Sequence, residues 1–143
     1  MRKKSILIVL SIAILVGLGT FYINNNYFYN PVTFKQDPVT PHEWNDYERP
    51  LEIKIYSFED ERESETIDEE EEIEELLSEL KESPSSEDVE ATATDVSGGL
   101  TLTSNDRTLL EVLFYPEHWE ILKTDGPAFE ITESLKQLVN QFQ

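Results

Sequence analysis

The stretch Ser5–Ile23 constrains this chain most, because it is long, apolar and free of charge. Its only polar groups are two serine hydroxyls, one threonine hydroxyl and one tyrosine hydroxyl. A helix of this length, rising 1.5 Å per residue, spans about 28 Å, which is close to the hydrocarbon thickness of a bilayer. We therefore expect residues 5–23 to form a transmembrane anchor.

The residues on either side of this stretch indicate its orientation. Arg2, Lys3 and Lys4 precede it, and the positive-inside rule places such cations in the cytoplasm, so residues 1–4 are predicted to be a cytoplasmic basic tip. Aromatic residues suited to the outer interface follow it, namely Phe21, Tyr22, Tyr27, Phe28 and Tyr29. We expect a single-pass protein of the cell membrane with an extracytoplasmic C-terminal domain.

A cleaved secretory signal and a buried helix of a soluble protein are the two alternatives to an anchor. A signal has an apolar core of about 7–15 residues and a small-x-small cleavage site. The apolar run here is longer, and Gly17–Thr20 matches that site only loosely. Lipoprotein processing is excluded because the chain has no cysteine to acylate. The uncleaved anchor is the favoured interpretation.

The composition excludes several classes of function. The absence of cysteine removes disulfides, thiol chemistry and zinc–thiolate sites. The net charge is −19, and without the three basic residues of the tip the remaining chain carries about −22. Such a field repels nucleic acid and attracts cations and basic protein surfaces. We expect no nucleic-acid binding and a protein partner with a basic surface.

The chain beyond the anchor divides into two parts by its pattern. Residues 24–50 hold four of the seven prolines and follow no regular hydrophobic period, which predicts a juxtamembrane spacer. The aromatic side chains of Phe34, Trp44 and Tyr47 are candidates for packing on the domain as an extended arm. Residues 51–143 are predicted to form the extracytoplasmic domain.

Alternating or continuous apolar runs predict about five strands in that domain. Leu51–Ser57 alternates apolar and polar residues, as a half-buried strand does, and a flexible acidic link is expected over Phe58–Thr66. Thr108–Tyr115 is the most apolar run and is expected at the centre of the sheet. The other predicted strands are His118–Lys123, Ala128–Ile131, and Val89–Val96, which resumes as Leu100–Thr103 after a break at Ser97-Gly98-Gly99. Turns are predicted at Ser104–Arg107 and at Asp125-Gly126.

Two segments have the period of amphipathic helices. Asp68–Glu82 places apolar residues at 73, 76, 77 and 80, with Asp68 as the expected N-cap and Ser83–Ser86 ending the helix. Thr132–Phe142 places them at 135, 138, 139 and 142. The predicted fold class is α+β: an N-terminal transmembrane helix, then one antiparallel sheet of about five strands with both amphipathic helices on one face.

The acidic block Glu59–Glu82 is the first place to look for a ligand, because it holds fourteen carboxylates. Carboxylate oxygens suit calcium, but the block lacks the alternating ligands and the glycine of an EF-hand loop. Glu69, Glu72, Glu75 and Glu79 are expected to line the wet face of a helix. A solvated acidic face is favoured, and weak, diffuse binding of divalent cations is the alternative.

No catalytic, cofactor-binding or metal-binding residue is assigned from the sequence. His42 and His118 would have to converge to build a site, and no G-x-S-x-G or phosphate-binding glycine loop is present. Core or arm packing is the favoured role of the aromatic residues Trp44, Phe114, Tyr115, Trp119 and Phe129. The alternative for these aromatics is a recognition surface for peptide or glycan.

The chain has a basic tip and one anchor, followed by the predicted strand LEIKIYS and the acidic segment IDEEEEIEELLSEL. This layout resembles that of small, uncharacterised membrane-anchored proteins of Gram-positive bacilli. The resemblance covers the whole chain and implies no activity and no site residues. The expected function is a non-enzymatic protein-interaction or accessory module at the cell envelope. The alternatives are a module that responds to divalent cations through its acidic helix, and a small envelope hydrolase.

Overall fold

A computed structural model describes residues 2–58, 64–86, 96–122 and 126–142, with the side chains of residues 2–5 excepted. The described residues form three α-helices, a short 3₁₀ helix at Trp44–Asp46, and seven strands. The helices are α1 (Arg2–Asn26), α2 (Glu70–Glu82) and α3 (Glu133–Gln141). The strands are β1 (Leu51–Ser57), β2 (Ser64–Ile67), β3 (Ser85–Ser86), β4 (Gly98–Ser104), β5 (Arg107–Phe114), β6 (His118–Ile121) and β7 (Ala128–Glu130).

The seven described strands make one antiparallel sheet in the order β2-β1-β4-β5-β6-β7-β3. Register places Ile55 opposite Leu100, and Leu100 opposite Val112, so the buried residues of adjacent strands share one face. Because side chains alternate along a strand, the polar residues between them point to the opposite face. The sheet therefore has a core face and an open face.

The two amphipathic helices contribute their apolar stripes to the hydrophobic core. The buried residues of α2 are Ile73, Leu76, Leu77 and Leu80, and those of α3 are Leu135, Leu138 and Val139. α2 contacts β1 and α3 contacts α2. The Thr132 hydroxyl caps α3 by accepting a hydrogen bond from the Leu135 backbone N–H at 3.1 Å. Both helices thus form where the sequence pattern predicts an apolar stripe.

The segment predicted as a juxtamembrane spacer supplies three side chains to the same core. Phe28, Val39 and Tyr47 are at most 8% exposed and belong to the core cluster. Tyr29 and Phe34 are half-buried against it, and their rings lie 4.8–5.8 Å from each other and from the ring of Tyr47. We call residues 27–50 the arm, because they run from the end of α1 to the start of β1 in contact with the domain.

The apolar surface of α1 is not covered by the described part of the domain. Its large apolar side chains from Ile6 to Tyr22 are 54–71% exposed. Residues Ile6–Asn26 are the one described helix that is long and apolar enough to cross a membrane. The helix ends at Asn26, three residues beyond the predicted end at Ile23.

The prediction of about five strands was too low. Ser64–Ile67 falls in the predicted flexible link, yet it pairs with β1 and places Ile67 opposite Ile53. Ser85–Ser86 falls in the predicted loop after α2, yet it pairs with Phe129 and Ala128 of β7. Apart from Ile67, both segments are polar, so cross-strand pairing supplied by the tertiary structure, rather than their own pattern, makes them strands.

Two further predicted boundaries, the start of α2 and the start of β4, were wrong. α2 begins at Glu70 with Glu69 as its N-cap and no side-chain capping bond, because pairing of β2 keeps the chain extended through Ile67. Gly98 and Gly99 lie inside β4 and do not interrupt it. Glycine is required there, since a Cβ on Gly98 would overlap the Tyr56 carbonyl oxygen.

Other predictions are confirmed within the described residues. β1 has the predicted bounds, and β5 is the central strand of the seven. Asn105 and Asp106 form the predicted tight turn, with φ of 47° and 64°. Asn and Asp tolerate positive φ because their short polar side chains stabilise it locally.

Several predictions fall on residues that lie outside the described ranges. They are most of the strand Val89–Val96, residues 59–63 of the predicted acidic link, and Asp125 of the predicted Asp125-Gly126 hairpin. These predictions stay predictions. The strand predicted over His118–Lys123 ends earlier, at Ile121.

The close approach of β4 to β1 gives a stability prediction. We expect Gly98→Ala to lower the free energy of unfolding of the full chain by about 1–3 kcal/mol, because backbone rather than a flexible side chain must move. Denaturant unfolding in detergent measures the change. Gly17→Ala is the matched control, since a Cβ at Gly17 meets nothing within 4 Å. Equal stability of the two variants would contradict the prediction.

Candidate functional site

The open face of the sheet carries a concave surface lined by residues of β1, β2, β4 and β5. Its side chains come from the polar phase of the strands, including Tyr56 of β1, Thr101 of β4, and Glu111 and Leu113 of β5. α2 and α3 pack on the other face, so they leave this one uncovered. This face is the best candidate for a ligand surface in the part of the chain that the structure describes.

A glycine between two large residues creates the depression. Gly99 lies opposite Tyr56 on one side and opposite Leu113 on the other. It has no side chain, and Leu113 Cδ2 lies 3.7 Å from the position where a Cβ of residue 99 would be. A Cβ at this position would come within 2.6 Å of the Val112 carbonyl oxygen, so the close packing of β4 on β5 also requires glycine.

The resulting groove has a volume of about 470 Å³. The Tyr56 hydroxyl donates a hydrogen bond to the Thr101 hydroxyl at 3.1 Å, which fixes the orientation of the ring. Phe58 and Leu122 extend the apolar lining, and they remain 48% and 38% exposed. The volume lies within the range of small-ligand pockets, which combine apolar walls with a few polar groups.

Charges around the groove are unevenly placed. Glu111 lines the groove, and Glu120 lies opposite Leu113 on the adjacent strand β6. On the other side, the Lys54 ammonium lies 5.7 Å from the centre of the Tyr56 ring. Carboxylates therefore accompany the leucine wall and a cation accompanies the tyrosine wall.

A second constellation joins α1 to the domain, and we call it the Arg49 joint. The Arg49 guanidinium forms a two-pronged ion pair with Glu70 in the first turn of α2, with Nη2 to Oε2 at 2.9 Å. Its Nη1 donates to the backbone carbonyls of Asn24, at 2.6 Å, and of Tyr27. The Arg49 backbone N–H donates to the Asn26 carbonyl at 2.9 Å.

The joint satisfies groups that a helix end leaves unpaired. The last carbonyls of a helix have no partner within it, and a cation there also complements the helix dipole. The opposite charge of Glu70 stabilises the same guanidinium. Hydrogen bonds from Arg49 hold the pKa of Glu70 below its ordinary value, although partial burial by itself would raise that pKa. One side chain thereby connects α1, the arm and α2.

The arm has a further attachment at the other end of α2. The Asp37 carboxylate accepts hydrogen bonds from the backbone N–H groups of Val39 and Thr40 and from the Thr40 hydroxyl, at 2.8–2.9 Å. The Lys81 ammonium lies 3.4 Å from Asp37 and 5.3 Å from the centre of the Tyr29 ring. Partial burial alone would raise the pKa of Asp37, but the Thr40 hydrogen bonds and Lys81 hold it below its ordinary value.

The two histidines do not converge on one site. His42 Nε2 lies 3.0 Å from the Leu109 carbonyl oxygen, beside the register shift between β4 and β5. The His118 ring stacks on Tyr115 at 4.3 Å, and its Nε2 is 3.6 Å from Glu120. Leu109 and Tyr115 are six residues apart on one extended segment, roughly 20 Å at 3.3 Å per residue. His42 is thus a contact between the arm and the sheet.

The acidic helix was predicted to be a solvated face, with weak cation binding as the alternative. Of the glutamates predicted for its wet face, Glu69 and Glu75 are exposed, whereas Glu72 and Glu79 are half-buried. Glu70 is engaged by Arg49. Among residues 2–58, 64–86, 96–122 and 126–142, no group of three or more His, Asp or Glu side chains is arranged to hold a metal ion. Weak, diffuse cation binding remains a prediction.

Four of the five singled-out aromatic residues are buried, so the recognition-surface alternative is wrong for them. Phe114, Tyr115, Trp119 and Phe129 are 0–8% exposed, and the last two stack at 4.3 Å. Trp44 packs on Tyr27 with ring centres 4.8 Å apart. The sequence reasoning missed Tyr56 and Phe58, although their spacing of two residues at the end of β1 placed both on the polar side of the strand.

The Arg49 joint gives a prediction for a double-mutant cycle with Arg49→Gln and Glu70→Gln. We expect a coupling free energy of about 1 kcal/mol at neutral pH, because the guanidinium pairs with two carboxylate oxygens and is only 27% exposed. The cycle for Lys136 and Glu133, where the glutamate is 82% exposed, should give about 0.2–0.5 kcal/mol. Denaturant unfolding of the full chain in detergent measures both cycles.

The same cycle should depend on pH. A carboxyl whose pKa is lowered in the folded state stabilises the fold above its unfolded pKa and stops doing so as pH falls through the folded pKa. The Arg49–Glu70 coupling should therefore be present at neutral pH and decline below about pH 4. A coupling no larger than that of the control pair, or one unchanged in acid, would contradict this role.

Comparisons of the chain with protein-family models, with curated proteins and with solved structures found no match. The groove on the open face, the Arg49 joint and the exposed apolar helix are therefore the features from which a function can be proposed.

Proposed function

We propose that this protein is a single-pass, membrane-anchored module that holds a small α+β domain outside the cytoplasm and binds a partner protein there. In this proposal α1 spans the cell membrane with the basic tip in the cytoplasm. The Arg49 joint fixes the domain to the end of α1. The open face of the sheet is the surface available to the partner.

One observation carries the anchoring part of the proposal. The apolar side chains of α1 are 54–71% exposed, although the helix end is held in the domain by hydrogen bonds to Arg49. An exposed apolar surface of this length is costly in water and favourable in lipid. Tyr22, Tyr27 and Trp44 cluster at the end of the helix, where amphipathic rings suit the membrane interface.

Charge supports a basic partner. The chain beyond the basic tip carries about −22, and such a field attracts positively charged protein surfaces and raises their association rate. The same field disfavours nucleic acid. The module is proposed to be non-enzymatic, because binding needs only the open face and the fixed orientation described above.

Membrane integration is tested by placing charge within α1. The double substitution Leu10→Arg with Ile14→Arg should prevent stable integration, because each arginine at the helix centre costs about 2.5–3.5 kcal/mol. Extraction of membranes with alkaline carbonate should release this variant and retain both the wild type and the control Leu10→Ala with Ile14→Ala. Release of the wild type together with loss of an N-terminal tag would indicate a cleaved signal and overturn the anchor.

Orientation is tested by single cysteines, which report cleanly because the chain has none. Val32→Cys on the arm and Gln137→Cys on α3 are both at exposed positions. In intact bacterial protoplasts a membrane-impermeant maleimide should label both, whereas an N-terminal tag should resist added protease. Labelling only after permeabilisation would place the domain in the cytoplasm and contradict the proposal.

A further inference from the structure

The arm leaves the C-terminal end of α1 and later returns to it, so that the 3₁₀ helix beginning at Trp44 lies beside that end. An antiparallel bridge pairs Tyr27 with Glu48. The Arg49 backbone N–H then donates to the Asn26 carbonyl at 2.9 Å. Trp44 therefore belongs to a segment whose position next to the last turn of α1 is fixed by hydrogen bonds.

Ring contacts connect Trp44 to a residue inside α1. The centre of the Trp44 ring lies 4.8 Å from that of Tyr27, which lies 6.3 Å from that of Tyr22. Tyr22 precedes the end of the helix at Asn26 by about 6 Å along the axis. The headgroup layer of a bilayer is about 5–8 Å thick on each side of the hydrocarbon. Since the predicted span ends at Ile23, Trp44 lies within reach of this layer.

The Trp44 ring combines exposed apolar surface with a polar N–H group. The residue is half-buried, in contrast to Trp119, which is 0% exposed. Within the part of the chain that the structure describes, its ring packs on Tyr27 and no residue accepts a hydrogen bond from its indole N–H. Tryptophan is enriched at membrane interfaces because the lipid there covers the ring and offers polar partners to the N–H.

We propose that Trp44 is a second membrane contact, in which the indole ring inserts among the lipid headgroups beside α1 and donates its N–H to a lipid oxygen. This inference rests on the proposed function, because it requires α1 to span the membrane, and it extends the contact with lipid from the helix to the arm. Phe28, Val39 and Tyr47 of the arm belong to the hydrophobic core. A lipid contact at Trp44 therefore holds the whole domain against the membrane surface and restricts its tilt.

The turn that carries Trp44 is ordered by contacts within the protein. The Glu43 backbone N–H donates to the Asp46 carboxylate at 3.1 Å, and Arg107 donates to the same carboxylate at 2.8 Å. The Tyr27 ring meets the Trp44 ring edge-on, at an interplanar angle of 72°. Because the indole is held in place before it meets lipid, insertion costs little conformational entropy.

The test uses the full chain in phosphatidylcholine nanodiscs and the fluorescence of its two tryptophans. Trp119→Phe leaves Trp44 as the only tryptophan. Trp44→Phe leaves Trp119, which is the matched control because it is 0% exposed. Each variant is reconstituted with unmodified lipid, with lipid brominated near the headgroup end of its acyl chains, and with lipid brominated near the chain ends. Bromine quenches an indole only at short range, so quenching reports contact with lipid.

We expect bromine near the headgroups to lower the emission of Trp44 at least about twofold, because interfacial tryptophan lies at that depth. Bromine near the chain ends should lower it less. The emission of Trp119 should be the same in all three lipids. Should Trp119→Phe fail to fold, the wild type and Trp44→Phe give the same comparison, since the quenched part of the wild-type emission should be absent from Trp44→Phe.

Three results would overturn the inference. Unquenched Trp44 in a chain that co-elutes with the nanodiscs would remove the contact and leave the proposed anchoring of α1 intact. Equal quenching of Trp44 and Trp119 would also remove it, because a buried tryptophan reaches lipid only when the domain unfolds. Failure of the chain to co-elute with nanodiscs would contradict the anchoring itself, and with it the contact at Trp44.

Discussion

Burial of one face of the sheet is the interaction on which the rest of the structure depends. Ile53 and Ile55 of β1, Leu100 and Leu102 of β4, and Val112 of β5 are 0–1% exposed and lie in register on the same side. α2 and α3 contribute their apolar stripes to this core, and the arm adds three more side chains. Because the covering elements among the described residues all lie on the core face, they leave the opposite face open, and the groove lies there.

The arm gives the molecule a property that a flexible spacer would not. Phe28 and Tyr47 are held in the core, and Arg49 links the last carbonyls of α1 to the first turn of α2. The end of the apolar helix is therefore part of the folded domain. If α1 lies in a membrane, as proposed, the open face has a fixed orientation with respect to the membrane surface, which reduces the orientational freedom that a membrane-bound partner would have to overcome.

Glycine has two different consequences on adjacent positions of β4. At Gly98 it allows β4 to approach the Tyr56 carbonyl, and at Gly99, which lines the groove, it allows approach to the Val112 carbonyl. The groove is thus a by-product of the close strand packing that the fold requires. The side chains of Tyr56 and Leu113 border the groove at this point.

The sequence by itself determined the elements whose hydrophobic period is strong: the apolar helix, β1, the central strand β5, and the stripes of α2 and α3. It also determined the Asn105-Asp106 turn, because few residues tolerate positive φ. The tertiary structure alone decided that the polar segments Ser64–Ile67 and Ser85–Ser86 are strands, that the arm joins the core, and that Arg49 meets Glu70. Those features depend on contacts between residues distant in sequence, and the local hydrophobic pattern of each segment does not indicate them. The groove depends on strand register for the same reason, because Tyr56, Gly99 and Leu113 come from three different strands.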